Sequence, residues 1–121
     1  MTLRVLVVNH VNVTVPAALE QAARQFYGEV LGLRQIPKPD GPRQNIGAWY
    51  EIGSVQLHLS IADGVDNRKS DRHVCYEVED LASAKFHFLD AGIEVIPDKA
   101  ARRFFVRDPG GNLIEITQKR N

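Results

Sequence analysis

"HVNVTV", residues 10–15, returns 63 positions later as "HVCYEV", residues 73–78. In the first copy Val11, Val13 and Val15 alternate with His10, Asn12 and Thr14, so a strand there has one greasy and one polar face. The second copy alternates in the same phase, with His73, Cys75 and Glu77 on its polar side. The residues after each copy match as well. After "HVNVTV" the period lengthens to Leu19, Ala22, Ala23, Phe26, Val30 and Leu31, which predicts a helix over 17–31 that stops at Gly32. After "HVCYEV" a stripe of Leu81, Ala84, Phe88 and Leu89 predicts a second helix, capped by Asp80 and ended at Gly92. Three strands then close each half. The first set lies near 35–36, in "NIGAWYEI" and in "VQLHLSI", with a Gly53-Ser54 turn joining the last two. The second set lies in "IEVI", "RRFFV" and "NLIEI". A chance recurrence of element order is the plain alternative, and the polar residues decide against it.

Composition narrows what such a chain does. Its 121 residues make one domain with a modest core, and 44% apolar with 25% charged residues is the balance of an ordinary globular protein. Fifteen basic and fifteen acidic side chains cancel, leaving no field to hold nucleic acid or an anionic membrane, so the expected partner is a small molecule. A single cysteine, Cys75, allows no internal disulfide, and "MTLRVLVV" is too short an apolar run for a secretory signal. A cytoplasmic protein is expected.

The last strand of each half carries the chemistry. In "VQLHLSI" the alternation sets Leu57, Leu59 and Ile61 against Gln56, His58 and Ser60; in "NLIEI" it sets Ile114 and Ile116 against Leu113 and Glu115. A glutamate in a greasy strand needs a partner. The first and last strands of each half therefore present one potential ligand apiece away from the helix: His10 and His58, then His73 and Glu115. Should the sheets curve so that these faces meet, three imidazoles and a carboxylate would suit a divalent transition metal. Any one of these histidines taken alone is more often a solvated side chain than a ligand, and only their matched placement changes the balance. His87, on the second helix with no counterpart in the first half, serves as the control without a role. Cys75 reads as a small packed residue rather than a nucleophile.

With "NHVNVTV", "QFYGEVLGL", "GAWYEIGSVQLHL", "HVCYEVEDL" and "FFVRDPGGNLIEI" taken together, nearly the whole chain resembles the vicinal oxygen chelate superfamily. That group includes glyoxalase I, extradiol dioxygenases, fosfomycin-resistance thiol transferases and bleomycin-binding proteins. The resemblance implies an α+β fold of two tandem βαβββ modules whose curved mixed sheets enclose a central metal-binding cavity. The modules are expected at 1–62 and 72–121, with a linker at about 63–71. It implies the ligand set His10, His58, His73 and Glu115, the same four that alternation reached. "DPGGN" reads as a tight turn in which Gly110, Gly111 and Asn112 tolerate positive φ and which aims Glu115 at the cavity.

The expected activity is that of a lyase or isomerase. A metal polarises vicinal oxygens of a small substrate while Glu115 moves a proton next to a carbonyl; Glu77 is the weaker candidate base, and a solvated surface acid is its plainer reading. Extradiol dioxygenation is the alternative within enzymes, and drug sequestration without turnover the alternative outside them. Glyoxalase I enzymes commonly have a glutamate where His58 stands, which weakens a simple glyoxalase assignment. Zinc, nickel, cobalt, manganese and iron all suit the donor set. Arg103 is a candidate substrate contact, as an anion clamp on the face it shares with Phe105 and Arg107. Of Trp49 and Tyr50 only one can face the cavity, with core packing or a dimer contact the plainer reading for each. A homodimer is expected, with modules paired within one chain or exchanged between two.

Overall fold

The computed structural model describes residues 2–100 and 102–120. The first module is β1 (His10–Val15), a 3-10 turn (Ala17–Leu19), α1 (Glu20–Gln25), a π turn (Phe26–Val30), β2 (Arg34–Ile36), β3 (Ala48–Ile52) and β4 (Val55–Ile61). After a short 3-10 turn at Asn67–Lys69 comes the second: β5 (His73–Val78), α2 (Leu81–Asp90), β6 (Ile96–Pro97), β7 (Arg103–Arg107) and β8 (Leu113–Gln118). The strands form two mixed sheets, ordered β1-β4-β3-β2 and β5-β8-β7-β6. In each, the opening strand runs parallel to the closing one and the other pairs are antiparallel. The sequence repeat is thus also a repeat of topology.

Two expected elements come out differently. The helix over 17–31 is built in three pieces: it opens as a 3-10 turn, with the Leu19 amide donating to the Pro16 carbonyl at 2.9 Å, and its last turn widens, with the Leu31 amide donating to the Phe26 carbonyl at 2.8 Å. Within that wider turn the adjacent Phe26 and Tyr27 are both buried in the core. The strand expected in "IEVI" shrinks to Ile96–Pro97, paired with Phe105 and Phe104. Pro97 offers no amide to extend the ladder.

One core serves both modules. Val15, Leu57 and Leu59 of the first sheet, Phe26 and Tyr27 of the first helix, Phe88 of α2, and Val106, Ile114 and Ile116 of the second sheet are all buried together. The greasy faces thereby point inward, and the polar faces carrying His10 and His73 stay outside that core. No strand of one sheet pairs with a strand of the other, so both sheets are open.

The "DPGGN" turn ties the modules together. Asp108 is buried and receives the Tyr27 hydroxyl at 2.6 Å, the Asn112 amide at 2.9 Å and the Asn112 side-chain amide at 2.8 Å. The Asn112 side chain also donates to the Thr14 carbonyl of β1, where Asn67 donates as well, both at 2.9 Å. Of the three residues expected to take positive φ only Gly111 does, at 88°. Gly110 is needed for space instead: a Cβ there would sit 2.5 Å from Cγ1 of Val15. Asn112 contributes through its side chain. His87, expected to have no role, ties α2 to the π turn by a 2.6 Å hydrogen bond to the Val30 carbonyl.

Candidate functional site

Parallel pairing of the first and last strands brings the four expected ligands together in twos. In the first module Asn12 is the register partner of His58, so His10 lies one polar-face position away, and the two imidazoles stack at 4.0 Å with 14° between planes. In the second, Cys75 is the register partner of Glu115, and His73 Nε2 lies 3.1 Å from Glu115 Oε1. The two pairs do not gather within one chain: among the described residues no three His, Cys, Asp or Glu side chains form a group that could hold a metal ion.

Each imidazole is held through a ring nitrogen, and His73 through both. The Nδ1 of His10 is hydrogen-bonded to Asn9 Oδ1 at 2.8 Å, and that of His73 to the Asp71 carbonyl at 2.9 Å. Since both acceptors are oxygens, Nδ1 donates in each ring, and in His73 the Nε2 is then the atom that meets Glu115 Oε1 at 3.1 Å. His58 is held the other way round, through Nε2 to Gln56 Oε1 at 2.8 Å. Asn9, Gln56 and Asp71 escaped the sequence reading. For Gln56 and Asp71 a signal exists, because each lies two residues before its histidine.

His58 is the buried member of the set, and burial pushes its pKa down from the ordinary imidazole value, with the charges of His10 and Lys38 adding to the effect. Trp49, its register partner on β3, stacks on its other side at 3.9 Å and 4°. Of the adjacent aromatics Tyr50 is the core residue, while Trp49 is half-buried on the polar face. His10, His58 and Trp49 form a three-ring stack.

Around Glu115 the environment is cationic and tight. Arg103 Nη1 lies 3.6 Å from Glu115 Oε2, and its Nε donates to Asp98 Oδ2 at 2.7 Å. The guanidinium also lies 5.6 Å from the centre of the Phe105 ring. Arg103, the expected substrate contact, thus stands beside the candidate base with one edge already held. Cys75 is exposed, yet burial of its sulfur, then its hydrogen bond to Glu115 and that carboxylate's charge, push the thiol up to about 11. It is kept protonated at neutral pH.

The model of the Glyoxalase/Bleomycin resistance protein/Dioxygenase superfamily matches residues 7–116. A glyoxalase family protein of Bacillus anthracis is 32% identical, with 99% of this chain and 100% of that one covered and a TM-score of 0.85. A Bacillus cereus protein described as a glyoxalase is 28% identical over 93% and 99% of the two chains, with a TM-score of 0.72. An antibiotic-binding protein from a Streptomyces species shares the fold at 18% identity over 98% and 100% of the chains, with a TM-score of 0.74. No curated protein matches.

Proposed function

As the chain belongs to the Glyoxalase/Bleomycin resistance protein/Dioxygenase superfamily, we propose that it is a divalent-metal-dependent lyase or isomerase acting on a small oxygen-chelating substrate. We place its metal between two copies: His10 and His58 from one chain, His73 and Glu115 from the other. The observation that carries this reading is the pairing of the four donors in twos, one pair per module, which the described residues of one chain do not unite. The donors fit such an ion chemically. His73 Nε2 and Glu115 Oε1 lie 3.1 Å apart, near enough to bind one cation together, and three nitrogens with one carboxylate are a common set for first-row divalent metals.

When bound, the metal acts as a Lewis acid toward vicinal substrate oxygens. The chain's own residues do the rest. Glu115 takes the proton next to the substrate carbonyl on Oε2, the oxygen not paired with His73, and Arg103, 3.6 Å from that oxygen, holds the carboxylate in place. The remaining edge of the guanidinium faces negative charge as it develops on substrate oxygen. Trp49 and the stacked imidazoles wall the apolar side of the site.

The test is metal content by elemental mass spectrometry of wild type, His10→Ala and Glu115→Gln, and of the two variants unfolded and refolded together. Wild type is expected to hold about one metal per chain and each variant little. In the mixture half of the dimers are mixed, and each mixed dimer has one intact site of two, so about a quarter of the wild-type metal returns. A mixture as empty as its parents, beside loaded wild type, would refute the shared site. Full metal in both variants would refute the donors.

A further inference from the structure

Ahead of β1 runs a segment with neither helix nor strand that its own chain does not cover. Leu3, Val5, Leu6, Val7 and Val8 are 87, 78, 80, 60 and 58% exposed, a cluster of large apolar side chains unlike anything else on the surface. The segment is continuous with the sheet, since the Gln56 amide donates to the Asn9 carbonyl just before β1 begins. Carrying the alternation of β1 backwards sets Leu3, Val5 and Val7 in phase with Val11 and Val13, and Leu6 and Val8 in phase with His10. Both faces are therefore apolar, the pattern of a strand buried on two sides.

We propose that residues 3–8 form a dimerisation arm that adds as a strand to β5 of a second copy of this chain. The chemistry of the arm narrows the partner. An extended backbone with open amides and carbonyls is not stable in lipid, which argues for a sheet edge rather than a membrane. The arm has one charge, Arg4, and the chain's net charge is zero, so two copies meet without long-range repulsion. Among the free edges of the two sheets, β2 and β6 are three and two residues long. The free side of β1 is engaged at Thr14 by Asn67 and Asn112. That leaves the six-residue edge of β5, His73–Val78. Beside it lies a slot of about 290 Å³ between β5 and β1, of mixed lining, and Val5 and Val7 match its apolar part, Val11, Val13, Val74 and Tyr76. An arm bound there leads straight into His10, while β5 opens with His73. The inference takes from the proposed function only that a second copy completes the site.

Sedimentation equilibrium of the full chain, of a variant lacking residues 2–8 and of the Val5→Asp/Val7→Asp double variant tests the arm. Circular dichroism checks that each variant folds, and the double variant stands in if the deletion does not. Wild type is expected to be a dimer whose dissociation constant rises at least about 100-fold in either variant, the scale of losing several buried apolar side chains. A variant within threefold of wild type, or a wild type that stays monomeric, overturns the arm. Metal return in the mixture of His10→Ala and Glu115→Gln is scored separately, so an unneeded arm and an unshared site give different results.

Discussion

Replacing Tyr27 by Phe removes one oxygen from the seam between modules, and its effect can be worked from the contacts. The hydroxyl donates to the buried Asp108 carboxylate at 2.6 Å. Hydrogen bonds to charged groups contribute about 1.5–3 kcal/mol, and the phenylalanine leaves no cavity but also no donor. A loss of about 2 kcal/mol is expected, which for a chain of this length lowers Tm by about 8 °C. Asp108→Asn should cost more, about 3 kcal/mol, because the new amide nitrogen would oppose donors from Tyr27 or Asn112. In the double variant the Tyr27 contribution has already gone, so the two losses fall short of additive by about 1–2 kcal/mol. Urea unfolding, at one fixed protein concentration because a dimer would shift the midpoint, reads all three values. A Tyr27→Phe loss below about 0.5 kcal/mol, or full additivity, would refute the view that this hydrogen bond staples the modules.

Alkaline unfolding is expected from the tyrosines. Burial raises the phenols of Tyr27, Tyr50 and Tyr76 above their ordinary value of 10.0, with the Asp108 charge adding at Tyr27 and Tyr76. The folded state thus prefers them neutral, and the stability this contributes is complete below pH 10 and lost as pH rises through the raised values. Phenolate absorbance should appear together with loss of structure; three phenols titrating near 10 in folded protein would contradict it. Cys75, with its thiol at about 11, should react with a disulfide reagent at pH 8 about tenfold more slowly than a free thiol, the lower thiolate fraction being partly offset by its higher nucleophilicity. Glu115→Gln should accelerate that reaction, and an unchanged rate would show that the carboxylate does not govern the thiol. Trp49 is the single tryptophan and stacks on His58, so nickel should quench its emission saturably in wild type and not in His58→Ala. Equal quenching in both would place the metal elsewhere.

The architecture was legible because both periods are clean. Val11, Val13 and Val15 against His10, Asn12 and Thr14 leave one orientation for β1, and the same phase in β5 fixes the repeat. The failures are local. Nothing in the spacing of Phe26 and Tyr27 announces a widened turn, and the partner that Tyr27 meets there, Asp108, lies 81 positions away. Gly110 and Gly111 look alike in sequence but answer different needs, space beside Val15 and positive φ. Trp49 and Tyr50 could not be ordered until β3 was set against β4, where Trp49 falls opposite His58.

The candidate site was legible only in halves, and the reason lies in the repeat itself. Alternation assigns a residue to a face, and parallel pairing of the outer strands turns that into contact, so each module forms a two-donor set from its own sequence. How modules meet is decided by surfaces that carry no period. Within this chain they meet through Phe26, Tyr27, Phe88, Ile114 and Ile116, the greasy sides, and that choice turns both donor faces outward. The proposed metal site therefore rests on a second copy, because the core built from those residues holds the two donor pairs apart, and pairing across two chains would leave it buried.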